Sequence, residues 1–127
     1  MSNFQTPLDV RANDDGKTFT ILQAFDYVIG EDPTRRIVVP AGFVTDFASV
    51  PQIFWSILPP WGIYGKAAVL HDWNYHKQEF NRKFCDDLLM ESMTTLGVPG
   101  WKRWAIYTGV RLGGWVAWRH HKKEKLK

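Results

Sequence analysis

The ten residues Ala67-Ala68-Val69-Leu70-His71-Asp72-Trp73-Asn74-Tyr75-His76 set two histidines, an aspartate and a tyrosine directly behind an apolar run. At 3.6 residues per turn, His71 stands over Tyr75 and Asp72 over His76, in two adjacent rows. The stretch reads as an otherwise buried helix face with a compact polar surface cut into it. That is where a functional site is expected.

The elements around it follow from periodicity and punctuation. Residues 1–17 form an irregular or short-strand opening that ends in the turn signal Asn13-Asp14-Asp15-Gly16. Residues 18–29 and 36–39 are rich in β-branched and aromatic side chains and predict a hairpin across the loop at residues 30–34. Residues 40–51 have no clear period and predict a loop packed on the core, with Asp46 as its buried acid. Pro51 in a first turn predicts a short helix over 52–58, stopped by Pro59-Pro60. A glycine-hinged approach at 61–65 leads into a helix over 66–77.

A break at 78–81 precedes a second helix over 82–96, with Leu88, Leu89, Met90 and Met93 on its buried stripe. Gly97 and Pro99 end it. The short link makes the two helices antiparallel neighbours. A third helix is predicted from 101 to about 118, bent at Gly113-Gly114, with a frayed basic tail over 122–127. The expected fold is α+β, an N-terminal antiparallel hairpin or small sheet packed with three to four helices, in a single compact domain over 1–121.

Composition narrows the function classes. The lone Cys85 excludes an internal disulfide framework and any cysteine-based metal cluster, and it suits a reducing compartment. The N-terminus lacks the basic and apolar regions of a secretory signal, so synthesis in a host cytoplasm is expected. The most apolar stretch, 104–118, is interrupted by Arg111 and three glycines, which argues against a membrane span. Residues 1–97 carry 8 basic and 12 acidic groups, whereas residues 98–127 carry 8 basic and 1 acidic. A basic end of this kind points to an acidic partner, or to a merely solvated tail.

Antiparallel packing across a four-residue link brings His71 towards Asp86. A histidine held by a carboxylate is the general-base half of many hydrolytic sites, because the carboxylate fixes the tautomer and steadies the imidazolium. Asp72 points about 100° away round the helix and is a candidate ligand for a hard divalent cation, with loop carbonyls from Gly62 to Gly65. Arg82 is a neutralising partner for Asp86 or a clamp on an anionic substrate. A purely structural reading stands beside all of this, in which His71, Asp86 and Tyr75 form a satisfied polar network holding two helices in register.

His71-Asp72-Trp73-Asn74-Tyr75 resembles the His-Asp-x-x-Tyr pattern of the calcium-dependent secretory phospholipases, and Asp86-Asp87 resembles their paired aspartate. The resemblance implies His71 as the group that activates water, Asp72 as a calcium ligand, and Asp86 or Asp87 as the aspartate that orients the histidine. It covers about thirty residues and lacks that family's disulfides and most of its glycine-rich calcium loop.

Gly42-Phe43-Val44-Thr45-Asp46-Phe47-Ala48-Ser49-Val50-Pro51, with Phe54-Trp55, Pro59-Pro60, Ala67 to Asp72 and Leu96-Gly97-Val98-Pro99, resembles a family of small phage and prophage proteins catalogued only as a domain of unknown function. That resemblance implies a tailed-phage origin and nominates Asp46 to join His71 and Asp72. Otherwise Asp46 is a loop cap.

Trp101, Trp104, Thr108, Arg111, Trp115 and Trp118 follow a 3,4,3,4,3 spacing along one side of the third helix. Trp101 and Trp104 are expected on the domain's own core. Trp115 and Trp118, with Arg119, suit a lipid headgroup layer or another protein's groove. No motif for specific nucleic-acid reading accompanies the basic residues.

Two functions follow. One is a phage hydrolase acting on an ester or amide of the host envelope, lipid or cell wall. The other is a non-enzymatic virion or tail-associated protein that docks on phage proteins through the tryptophan-rich helix. Catalysis needs His71 open to a cleft and within about 3 Å of a carboxylate. Docking needs Trp115 and Trp118 exposed.

Overall fold

The computed structural model describes residues 3–4, 8–16, 18–30, 32, 34–46 and 65–125. The short helix expected over 52–58 and the carbonyls expected from 62–64 lie outside these residues. Internal contacts gather into two compact units, Met1–Asp46 and Phe47–Lys127. The strands fall in the first and the described helices in the second, an α+β composition.

The described residues of the first unit form two three-stranded antiparallel sheets. In one, β4 (Phe25–Val28) lies between β1 (Asn3–Phe4) and β5 (Arg36–Val39). The hairpin β4–β5 pairs Phe25 with Val39 and Tyr27 with Ile37, and all four side chains are buried. Arg36 reaches diagonally to Asp26 at 3.2 Å. In the other sheet, β3 (Phe19–Ile21) lies between β2 (Val10–Ala12) and β6 (Val44–Thr45).

Two expectations are corrected here. Residues 18–29 are not one strand: Leu22, Gln23 and Ala24 are exposed and break the run, so β3 and β4 belong to different sheets. The supposed loop at 40–51 contains β6, because Ile21 takes its backbone partners from Gly42 and Phe43 at 2.7 and 2.9 Å and draws Val44–Thr45 into register. Alternation along that strand turns Thr45 inward and leaves Asp46 exposed, so Asp46 is not the buried acid expected.

The second unit is built on α1 (Gly65–Lys77), whose residues 67–72 are all buried, as a helix covered on several sides requires. It ends at Gln78, which holds a left-handed backbone with φ of 54°. The Gln78 side chain donates to the Trp118 carbonyl at 2.8 Å. Asn81 caps α2 (Arg82–Thr95) by accepting from the Phe84 amide at 2.8 Å. At the far end Gly97, with φ of 82°, lets the Val98 amide reach back to the Met93 carbonyl at 3.0 Å. This closure stops the helix and buries Val98.

The third predicted helix is two, α3 (Gly100–Gly113) and α4 (Trp115–Lys125), joined at Gly114. Gly114 keeps helical angles, and the amides of Gly114 and Trp118 still bond to Val110 and Gly114 carbonyls at 2.8 and 3.0 Å. α1 and α3 both pack against α2, and α4 packs against α1. The backbone stays helical through Lys125, into the segment expected to fray.

Candidate functional site

Asp86, fully buried on α2, is the centre of the second unit's polar interior. Its Oδ1 lies 2.7 Å from His71 Nε2 and accepts from Tyr75 Oη at 2.6 Å. Its Oδ2 accepts from Arg111 Nη1 at 2.8 Å, with Arg82 Nη1 at 3.5 Å. Burial pushes this carboxyl's pKa up, but the hydrogen bond and charge of His71, with the bonds from Tyr75 and Arg111, outweigh it and hold the group below the usual carboxylate range. An ionised carboxylate has no proton to give, so His71 Nε2 carries the hydrogen of the shared bond. Burial, and then the bond to Asp86, push the Tyr75 hydroxyl well above the ordinary phenol range, so it stays a donor.

Arg82 is anchored where α3 stops. Its two terminal nitrogens donate to the carbonyls of Val110 and Arg111 at 2.9 and 3.1 Å, satisfying acceptors in the last turn of that helix. A Cβ at Gly114 would stand 2.6 Å from Tyr75 Oη and 3.2 Å from Arg82 Nη1. Only glycine lets the chain pass this close to the cluster.

The geometry thus brings together His71, Tyr75, Arg82 and Asp86, all singled out in the sequence. Asp87, the other candidate orienter, points elsewhere: it accepts from Lys83 at 2.8 Å and Tyr107 at 2.6 Å. Asp46 stands in the first unit. His71 meets one requirement for catalysis, the nearby carboxylate. It misses the other, since it is only 1% exposed rather than open to a cleft, on a helix whose residues 67–72 are all buried.

Asp72 is also buried, with His121 Nε2 3.8 Å from its Oδ1. Among the described residues no group of three or more His, Cys, Asp or Glu side chains could hold a metal ion. The carbonyls of residues 62–64 that were expected to join Asp72 at a cation site lie outside the described residues.

The tryptophan row is corrected as well. Trp101 and Trp104 are 65% and 61% exposed instead of packed on the core, because α3 buries its opposite side through Ile106 and Val110. Arg111 and Trp118 leave the row and turn inward, Arg111 to Asp86 and Trp118 into a T-shaped contact with Tyr75 at 5.2 Å between ring centroids. Trp118 is thus only half-exposed, whereas Trp115 stays open with Arg119 over its ring at 5.8 Å.

Sequence reasoning missed Arg111 as a partner of Asp86, and Gly114 as the point of close approach. A signal for the first existed, since Arg111 is the one charge inside the apolar stretch 104–118.

Residues 19–110 match the family model described as "Protein of unknown function (DUF1353)". The chain belongs to the DUF1353 family. The matched span holds His71, Tyr75, Arg82 and Asp86 but stops before Arg111 and α4. This DUF1353 chain is also similar to the "Uncharacterized protein y4jT" of Sinorhizobium fredii, 40% identical over 78 residues. Those residues are 60% of this chain and 23% of y4jT, so the match spans less than a quarter of that relative. No solved structure matches the DUF1353 chain.

Proposed function

We propose that His71, Asp86 and Tyr75 form the general-base centre of a small phage-encoded hydrolase acting on an ester or amide of the host envelope. One observation carries the reading: His71 Nε2 is fixed at 2.7 Å from an ionised, buried carboxylate that also takes the Tyr75 hydroxyl. On this reading the proton sits on Nε2 and, once the surrounding chain opens, Nδ1 serves as the base. It takes a proton from water as the water oxygen bonds to the acyl carbon, and the imidazolium returns that proton to the leaving group as the acyl bond breaks. Asp86 holds the ring and offsets its charge during the step. Arg111 and Arg82 share the other carboxylate oxygen, so Asp86 remains an anion throughout. The resemblance to the phospholipase His-Asp-x-x-Tyr helix supports the same assignment. Because His71 is closed over, turnover on this reading requires the surrounding chain to open.

The experiment is hydrolysis of p-nitrophenyl acyl esters, phospholipid vesicles and purified cell wall by the wild type and His71→Gln. Glutamine keeps an N–H directed at Asp86 and removes the base. Turnover lost in a variant that still melts cooperatively supports the centre, whereas equal rates for the two proteins rule it out.

A second reading is favoured by the burial of His71 and by the crowding of Asp86. Here the cluster is a clasp that ties α1, α2 and α3 together in a non-enzymatic phage protein that docks through α3 and α4. On this reading the wild type hydrolyses none of the substrates and His71→Gln lowers stability alone.

A further inference from the structure

The outward side of α3 and α4 carries an unpartnered row independent of the chemistry at His71. Trp101, Trp104, Leu112, Trp115 and Val116 are 65%, 61%, 75%, 48% and 58% exposed, and Thr108 is exposed between them. Positions 101, 104, 108, 112, 115 and 119 recur every three or four residues, so they follow one side of the helical path for about 27 Å at 1.5 Å per residue. Monomeric soluble domains seldom leave so many large apolar side chains side by side.

The charge along this row selects its occupant. Lys102 sits over the Trp101 ring at 5.5 Å and Arg119 over the Trp115 ring at 5.8 Å, so a cation stands at each end of the aromatic row. Lys122 follows, exposed, and residues 92–123 contain no acidic side chain. A second copy laid on the same face would oppose cation with cation. An anionic surface would neutralise both ends at once. The row lies along a helix surface, which a lipid layer can mould to while a protein partner would have to supply a groove. Tryptophan with a neighbouring cation suits the boundary between headgroups and acyl chains, the ring entering the apolar zone and the charge staying with phosphate. No described helix is long and apolar enough to cross a membrane.

We infer that the α3–α4 face is a peripheral docking surface for an anionic lipid bilayer, with Trp101, Trp104 and Trp115 inserted at headgroup depth and Lys102 and Arg119 on lipid phosphate. The test is cosedimentation of the full chain with phosphatidylcholine vesicles, with and without phosphatidylglycerol. Binding is expected with the anionic vesicles only, weakening as salt rises. Trp101→Ala with Trp115→Ala should weaken it roughly tenfold or more, a loss of about 1.4 kcal/mol or more. Lys102→Glu with Arg119→Glu, which leaves the apolar row intact, should abolish it and covers the case in which the tryptophan variant misfolds. The inference is overturned by absence of binding to anionic vesicles, or by binding that neither double variant reduces. Sedimentation of the protein alone as a dimer that the tryptophan variant dissociates also overturns it, by assigning the face to a second copy.

Discussion

His71 and Tyr75, one helical turn apart with ring centroids 4.3 Å apart, bond to the same oxygen of Asp86. Two donors on one oxygen and a guanidinium on the other are a pattern that only an ionised carboxylate satisfies on both sides. Asparagine has the same shape but turns an N–H₂ towards one set of donors. Asp86→Asn should therefore destabilise the fold by about 3 kcal/mol, read as a lower denaturation midpoint in urea at unchanged slope.

Gly114→Ala separates local preference from packing. In an exposed helix the change would stabilise by up to about 1 kcal/mol. Here the added methyl meets the Val110 carbonyl at 2.5 Å and Tyr75 Oη at 2.6 Å. A net loss of about 1–3 kcal/mol is expected, as for other overpacked sites. A thermal melt that rises instead would refute the close approach.

Acid should unfasten the cluster. The folded pKa of Asp86 lies below its ordinary value, so the unfolded chain binds the proton first as pH falls. The stability it contributes is complete above the ordinary carboxylate pKa of about 4 and disappears as pH drops through the lower folded value. The melting temperature should decline over that window in the wild type and more shallowly in Asp86→Asn.

Cys85 should be inert in the native protein. Its thiol is fully buried, and burial together with the neighbouring Asp86 charge pushes its pKa up to about 12. Labelling by an aromatic disulfide reagent at neutral pH should wait for unfolding, whereas fast stoichiometric labelling of the folded chain would contradict this environment.

The helices of the second unit were legible because their ends are written in local chemistry. Asn81 before Arg82 and Gly97 before Pro99 are cap signals that do not depend on the rest of the fold. His71 and Asp86 could be paired because the link is too short to allow another arrangement. Periodicity says which residues share a face but not which face turns inward. α3 has an aliphatic side at Ile106 and Val110 and an aromatic side at Trp101 and Trp104, and the aliphatic side is the buried one. At about 100° per residue Arg111 and Trp118 fall at the edge of the predicted row, where they turn inward to Asp86 and Tyr75. β6 was illegible because two residues cannot display a period, and its pairing is set by β3 from 24 residues away.

The four residues between α1 and α2 also set an order of assembly. His71 and Asp86 are 15 residues apart, whereas Arg111 comes from 25 residues beyond Asp86. Short loops close faster and with less loss of chain entropy. The α1–α2 hairpin is thus expected to dock while its histidine and aspartate are still wet, with Arg111 arriving afterwards to shut water out. In stopped-flow refolding, Arg111→Met should then accelerate unfolding while leaving the folding rate nearly unchanged. Arg111 would act as a late latch, setting how long the native state lasts more than how quickly it is reached.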